Sequence, residues 1–196
     1  MPLLPPGPVI FPEHLLRQPP AEEGAACWWV LHTRPRAEKT LARKCRERDL
    51  PFFLPLYRKR WVREGRHLAS HLPLFPGYLF LHGDGAARAA ALQTNLVAQA
   101  LPVADQARLW ADLSRVYRLV TSAAPLAPER CLPAGTPVEI TGGPLAGLEG
   151  KVLRHGRRLR LVVEVRFLQQ AVAAEIESWM IQPRSECPAP GRAGAS

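Results

Sequence analysis

Histidine and cysteine are the side chains best suited to metal or nucleophilic chemistry, and in this chain their spacing supports neither. His67 and His71 stand four apart, with His82 further on. On a helix that spacing could hold a metal ion, but these residues fall in an expected loop and strand, without a Cys or carboxylate cluster to complete a ligand set. Cys27, Cys45, Cys131 and Cys187 are scattered, and no pair has the two-residue spacing of a zinc ribbon or a redox motif. Neither a Ser-His-Asp setting nor a Gly-x-Ser-x-Gly turn stands out. Gly150-Lys151 invites comparison with a phosphate-binding loop. That loop would need Gly where Leu145 stands and Ser or Thr where Val152 stands. The expectation is therefore a chain with no catalytic residues, no metal and no cofactor.

The residues that could do chemistry of another kind are cations. Arg36, Lys39, Arg43 and Arg46 are spaced three, four and three apart, so on a helix they form one row, opposite Ala37, Leu41 and Cys45. Four aligned cations suit a polyanion, whose phosphates would release counterions on contact. The wider charge distribution agrees. The net charge is +9, and residues 27–121 hold 16 Lys and Arg against 7 Asp and Glu, whereas residues 132–182 hold 6 against 5. A basic face confined to the first two thirds of a chain points to nucleic acid.

The elements that must position these residues can be read in order. Residues 1–26 are rich in Pro and Ala and are expected to form a disordered extension. Cys27 to His32 reads as a first strand. Pro35 suits the first turn of a helix, which runs to about Asp49 and stops at Leu50-Pro51. Phe52 to Arg63 reads as a second strand, Glu64-Gly65-Arg66 as a turn, and Leu72 to Leu81 as a returning strand, giving an antiparallel hairpin with a projecting basic loop. Asp84 is placed to cap a short alanine-rich helix and Asp105 a longer one. Leu96 to Pro102 lies between them as a fourth strand. The longer helix carries Leu109, Leu113, Val116, Tyr117 and Val120 on one face. Ser122 to Arg130 contains two prolines and no periodicity, and residues 122–131 are expected to be a linker. Residues 132–183 break into five short strands, the pattern of a small antiparallel barrel, and residues 184–196 form a disordered tail. No signal peptide or apolar run of membrane-spanning length is evident, so a cytoplasmic protein with reduced thiols is expected.

Two stretches carry a resemblance. Leu72 to Leu81 contains Leu-Phe-Pro-Gly-Tyr-Leu-Phe, which resembles the Phe-Pro-Gly-Tyr signature of the NusG family of transcription elongation factors. Val138 to Val152 resembles the KOW motif, a strand, a Gly-Pro turn, and Gly-Lys-Val opening the next strand. Gly143, Gly147 and Gly150 would supply the positive φ or close approach that its turns need. With Trp-Trp-Val-Leu and the basic helix placed ahead of both, the chain looks like the full NusG architecture over about Trp28 to Pro183. That resemblance implies an α+β NGN domain, an antiparallel sheet with helices, followed by a small all-β, SH3-like KOW barrel. The Leu-Phe-Pro-Gly-Tyr-Leu-Phe form looks closer to specialised RfaH-type paralogues than to the housekeeping factor.

What the resemblance implies about function is a non-enzymatic monomer that rides on RNA polymerase and modulates pausing, termination or antitermination. By position, its polymerase-binding residues are Pro55, Tyr57, Phe75, Pro76, Gly77 and Tyr78, docking on the polymerase clamp. Its contacts to the non-template DNA strand are Arg34, Arg36, Lys39 and Arg43. Phe167 and Leu168, at the tip between two barrel strands, match the surface through which the family's KOW domain binds Rho or a small-subunit ribosomal protein. The usual Gly-Arg of that tip is replaced by Gln169-Gln170. The rival reading is a KOW-containing ribosomal or RNA-binding protein. It explains the charge equally well, but not why the charge avoids the KOW part.

Overall fold

The computed structural model describes residues 10–17, 19, 26–122, 124–129, 135–155, 158–177 and 180–183. Expectations for residues 1–9, 20–25, 130–134 and 184–196, together with Gly156 and Trp179, lie outside the described residues. No described helix is long and apolar enough to cross a membrane.

The N-terminal half is an α+β unit. Its elements in chain order are β1 (Ile10–Phe11), β2 (Cys27–Thr33), α1 (Glu38–Glu47), β3 (Phe52–Phe53), β4 (Leu56–Arg63), β5 (Arg66–Pro73), β6 (Tyr78–Gly83), α2 (Gly85–Leu92), β7 (Val97–Pro102) and α3 (Gln106–Thr121). Five strands form an antiparallel sheet in the order β1-β3-β6-β2-β7. β6 lies at its centre, where Leu79, Phe80 and Leu81 are fully buried, and β2 lies beside it, between β6 and β7, with Trp28, Val30 and Leu31 almost completely buried. The sheet is covered on two sides. Leu41, Ala42 and Cys45 of α1 pack with Leu31, Leu79 and Leu81. Leu109, Leu113, Val116 and Leu119 of α3 pack with Trp28, Val30 and Phe80. Burial pushes the Cys45 thiol up to about 12. Both expected caps form: Asp84 accepts a hydrogen bond from the Ala87 amide at 2.9 Å, and Asp105 one from the Arg108 amide at 2.9 Å.

Four expectations are corrected. Residues 10–17, within the stretch read as disordered, are ordered: Ile10 and Phe11 pair with Phe53 and Phe52, and Leu16 is buried in the core. Phe11 and Leu16 are apolar enough to repay that ordering. The expected strand from Phe52 to Arg63 divides at Leu54-Pro55. Its first part joins the main sheet, and its second, among the described residues, pairs only with β5, as a separate two-stranded ribbon. Helix α1 starts at Glu38 rather than near Pro35, because Arg36 adopts a left-handed backbone, φ 61°. Finally, part of the expected linker is a strand, β8 (Leu126–Glu129).

The C-terminal region contributes β8, β9 (Thr136–Ile140), β10 (Glu149–His155), β11 (Arg158–Val165), a 3-10 turn at Arg166–Leu168, β12 (Gln170–Ile176) and β13 (Ile181–Pro183). They form a six-stranded antiparallel sheet in the order β13-β9-β10-β11-β12-β8. Gly150 is required where β10 meets β11. A Cβ there would lie 2.7 Å from both the Leu161 side chain and the Val162 carbonyl. The two halves share one apolar core: Leu145, Leu148, Val163 and Val165 cluster with Leu113 and Val116 of α3. Polar contacts fasten the seam. Arg118 donates to the carbonyls of Ala146 and Gly147, and the Arg166 amide donates to the buried Asp112 carboxylate at 3.1 Å.

Candidate functional site

The Phe-Pro-Gly-Tyr stretch is a tight turn with three anchors. The Tyr78 amide donates to the Phe75 carbonyl at 3.1 Å, which closes the turn. Pro76 occupies its second position and Gly77 its third. Gly77 has φ 85°, the left-handed value that a type II turn demands there. The Gly77 amide donates to Glu38 Oε1 at 2.7 Å, and its carbonyl accepts from the Thr33 amide at 2.8 Å. One residue before the turn, the Leu74 amide donates to the Pro55 carbonyl at 2.9 Å. The turn is therefore held by α1, β2 and the break between β3 and β4 at once.

This frame sorts the expected polymerase-binding residues. Phe75 is only 1% exposed and packs edge-on against Phe80, with ring centroids 6.0 Å apart. Pro55 is also buried. Both support the turn from beneath. Pro76 is exposed, and Tyr57, Gly77 and Tyr78 are half-buried. The Tyr78 ring lies 5.2 Å from that of the exposed His32, its neighbour across β2 and β6. The accessible surface here is thus Tyr57, Pro76, Gly77 and Tyr78, extended by His32. Tyr57 and Tyr78 also rest on the core shared with the C-terminal sheet.

The row of Arg36, Lys39, Arg43 and Arg46 expected on one helix does not form, because Arg36 lies outside α1. Arg34 and Arg36 are exposed and precede α1; Lys39 is half-buried on it and Arg43 is exposed. Arg46 leaves the row. Its guanidinium sits over the Phe11 ring at 4.0 Å, so it fastens the N-terminal segment by a cation–π contact. The field of this surface reaches β5. Burial first, then the charges of Lys39 and Arg58, hold His71 below the ordinary histidine range. The α1 cations and the β4–β5 ribbon therefore share one positive environment.

At the C-terminal tip, Phe167 is 38% exposed, whereas Leu168 packs partly into the shared core. Gln169 follows in the left-handed region, φ 51°. Among the described residues no cluster of His, Cys, Asp and Glu is arranged to hold a metal ion.

Sequence reasoning missed three groups. Glu38 carries no local signal of its role, because its partner lies 39 residues away. Asp112 was passed over within an apolar helix face. Burial pushes its carboxyl above the ordinary value while the Arg115 guanidinium pulls it down. The third group is Trp61, a tryptophan 40% exposed on the ribbon. The alternation of aromatics and cations along β4 was the available signal for it.

Comparison with known proteins follows the geometry. The family model described as transcription termination factor nusG matches residues 26–128, more than half of the chain. No curated protein matches. Among solved structures, one titled "Domain interaction in Thermotoga maritima NusG" is 18% identical, with a TM-score of 0.46. The match covers 82% of this chain and 99% of that one. Another, a crystal structure of the MjSpt4:Spt5 complex in conformation B, is 16% identical, with a TM-score of 0.26, covering 81% of this chain and 97% of that one. On the strength of the family match from Ala26 through Pro128, the chain belongs to the NusG family of transcription factors.

Proposed function

We propose that the protein is a non-enzymatic transcription elongation factor that docks on the RNA polymerase clamp through Tyr57, Pro76, Gly77 and Tyr78. In this reading Pro55 and Phe75 hold the docking turn from within, and Arg34, Arg36, Lys39 and Arg43 face the exposed non-template DNA strand. The C-terminal sheet acts as a KOW-type barrel, with Phe167 its exposed contact for Rho or a small-subunit ribosomal protein and Leu168 seated beneath it. The observation that carries the reading is the pinned type II turn, which presents Pro76 and half-buried Tyr78 beside a cationic surface. An aromatic fixed at the edge of a rigid turn is the kind of residue that anchors an interface.

The test is capture of purified RNA polymerase, with ribosomes as the competing partner. Tyr78→Ala is expected to weaken polymerase capture by about 2 kcal/mol or more while leaving the thermal unfolding midpoint near that of the parent. Equal capture by a folded Tyr78→Ala variant would remove this surface from the function. Preferential capture of ribosomes by the parent would favour the rival reading as an RNA-binding protein.

A further inference from the structure

Beyond Tyr57 at its base, the β4–β5 ribbon is absorbed by none of the roles above. Its eight residue pairs run from Leu56 opposite Pro73 to Arg63 opposite Arg66, and among the described residues it joins no other strand. Glu64 and Gly65, with φ 52° and 71°, form a two-residue turn with both residues left-handed, the type I′ geometry that matches the twist of a hairpin. An isolated two-stranded ribbon is marginal in water. Eight residues span roughly 27 Å, so the arm is long as well as slender.

Register and alternation fix its two faces. One carries Tyr57, Lys59, Trp61 and Arg63 on β4, opposite Leu72, Ser70, Leu68 and Arg66. The other carries Arg58, Arg60 and Val62. From Leu56 to Pro73 there are five Lys and Arg and one acid, Glu64. Glu64 lies 3.6 Å from Arg63, but both side chains are largely in solvent, where such a pair contributes little. Among the described residues no acid pairs with Arg58, Lys59, Arg60 or Arg66.

Charge on an isolated strand has one ordinary purpose, to discourage edge-to-edge pairing. That purpose is defeated by leaving Trp61 40% and Val62 61% exposed. The aromatic and cationic residues alternate, so cations flank Trp61 on its own face at steps of about 6.7 Å along the strand. Such spacing suits successive nucleotides of an extended single strand. Stacking on an aromatic ring and a cationic track for the backbone are the two elements of single-strand recognition. An acidic peptide would satisfy the cations but would have no use for the flat face of an indole.

We propose that the β4–β5 ribbon binds single-stranded nucleic acid, with Lys59 and Arg63 on phosphates and the Trp61 ring stacked on an unpaired base. The site adjoins the α1 cations and stands whether or not those contact DNA.

The experiment is fluorescence anisotropy of the full chain with a short labelled oligothymidylate and its oligouridylate counterpart, across a salt series. Trp61→Ala is expected to weaken binding about tenfold, the loss of one stacked base, and Trp61→Phe to retain most of it. Trp61→Leu keeps an apolar strand former without a flat ring. It should match Trp61→Ala in binding while keeping the parent's unfolding midpoint. Lys59→Ala combined with Arg63→Ala should lower the slope of log affinity against log salt by about 1.4, two phosphate contacts on a single strand. The tighter of the two oligonucleotides identifies DNA or RNA as the source. The same loss at Trp61 should appear when Arg36→Ala and Lys39→Ala are already present, which separates this site from the one on α1. Parent-like affinity in folded Trp61→Leu would overturn the proposal. So would an effect that vanishes in the α1 background, or equally Trp61-dependent binding of an oligoglutamate.

Discussion

At the scale of single residues, Glu38 has the largest consequence for its size. It opens α1, it is 7% exposed, and it holds the Gly77 amide. Removing one partner of a buried hydrogen bond leaves the other unsatisfied, at a cost of about 1–3 kcal/mol. Glu38→Ala should lower stability by that amount in urea unfolding. Glu38→Gln should recover most of it, because its amide oxygen can still accept from Gly77. A parent-like midpoint for Glu38→Ala would mean the turn is held by Thr33 and Pro55 alone. His82 gives a pH-dependent counterpart. It stands across the sheet from Trp28, with ring centroids 5.0 Å apart, and burial lowers its pKa from 6.5. A depressed histidine is neutral in the fold while the unfolded chain takes up a proton. Its stabilisation is therefore present above about pH 6.5 and is lost as pH falls through the folded value. Stability should drop on acidification through this window, and His82→Phe should flatten the drop in thermal melts at stepped pH.

At the scale of elements, α1 and the strands around it show what the sequence made legible. The apolar face of α1, both aspartate caps and the buried face of α3 follow from local periodicity and side-chain chemistry, and the structure has them where expected. The division of Phe52 to Arg63 did not. Both halves favour strand, and the break at Leu54-Pro55 is decided by partners distant in sequence: β3 pairs with β1 and β6, β4 with β5 alone. The position of Arg36 was hidden for a related reason. Pro35 signals a helix start, but a left-handed residue follows it, and the helix begins two residues later. Of the site, the expected returning strand from Leu72 to Leu81 is instead the end of β5, a type II turn at Pro76-Gly77 and the start of β6. The inward direction of Phe75 depended on Phe80 beneath it. These corrections alter one functional expectation. With Arg46 engaged by Phe11, the cations proposed to meet phosphate are Arg34, Arg36, Lys39 and Arg43. Arg36→Ala with Lys39→Ala should lower the salt slope of single-stranded DNA binding on a transcription complex by about 1.4, whereas Arg46→Ala should leave that slope unchanged. An unchanged slope in the double variant would make the row a solvated helix face.

At the scale of the whole molecule, the two halves act as one body. The apolar faces of α3 and β11 meet, and Asp112 and Arg118 place hydrogen bonds on either side of the contact. Part of the supposed linker is stitched into the sheet, since Leu126 to Glu129 pair with Ala174 to Ala171. The parent chain should therefore unfold in a single transition and resist protease between Leu126 and Glu129. Asp112→Ala should loosen the seam by about 1–3 kcal/mol, because it strips the acceptor from the Arg166 amide. Asp112→Asn keeps that acceptor. The Asp112 pKa is raised by burial, so its favourable term is present below the ordinary carboxylate value and is lost as pH rises through the folded value. Asp112→Asn should accordingly be no less stable than the parent at neutral pH. Limited proteolysis of the three proteins checks both statements: early cutting near Leu126 in Asp112→Ala only supports the seam, and identical digests would deny it.

The pairing of Ile10 and Phe11 with Phe53 and Phe52, and the hydrogen bond from Ser114 to the Leu16 carbonyl at 3.4 Å, bear on how the chain is made. The ribosome releases these residues early, yet Leu16 has no completed core to enter until α3 has emerged, some 98 residues after it. For that interval Leu16 is an apolar residue awaiting a destination, the kind of exposed surface that nascent-chain chaperones hold. The segment around Leu16 is thus among the last to be seated during synthesis, and arrested nascent chains that stop short of α3 should leave it open to protease.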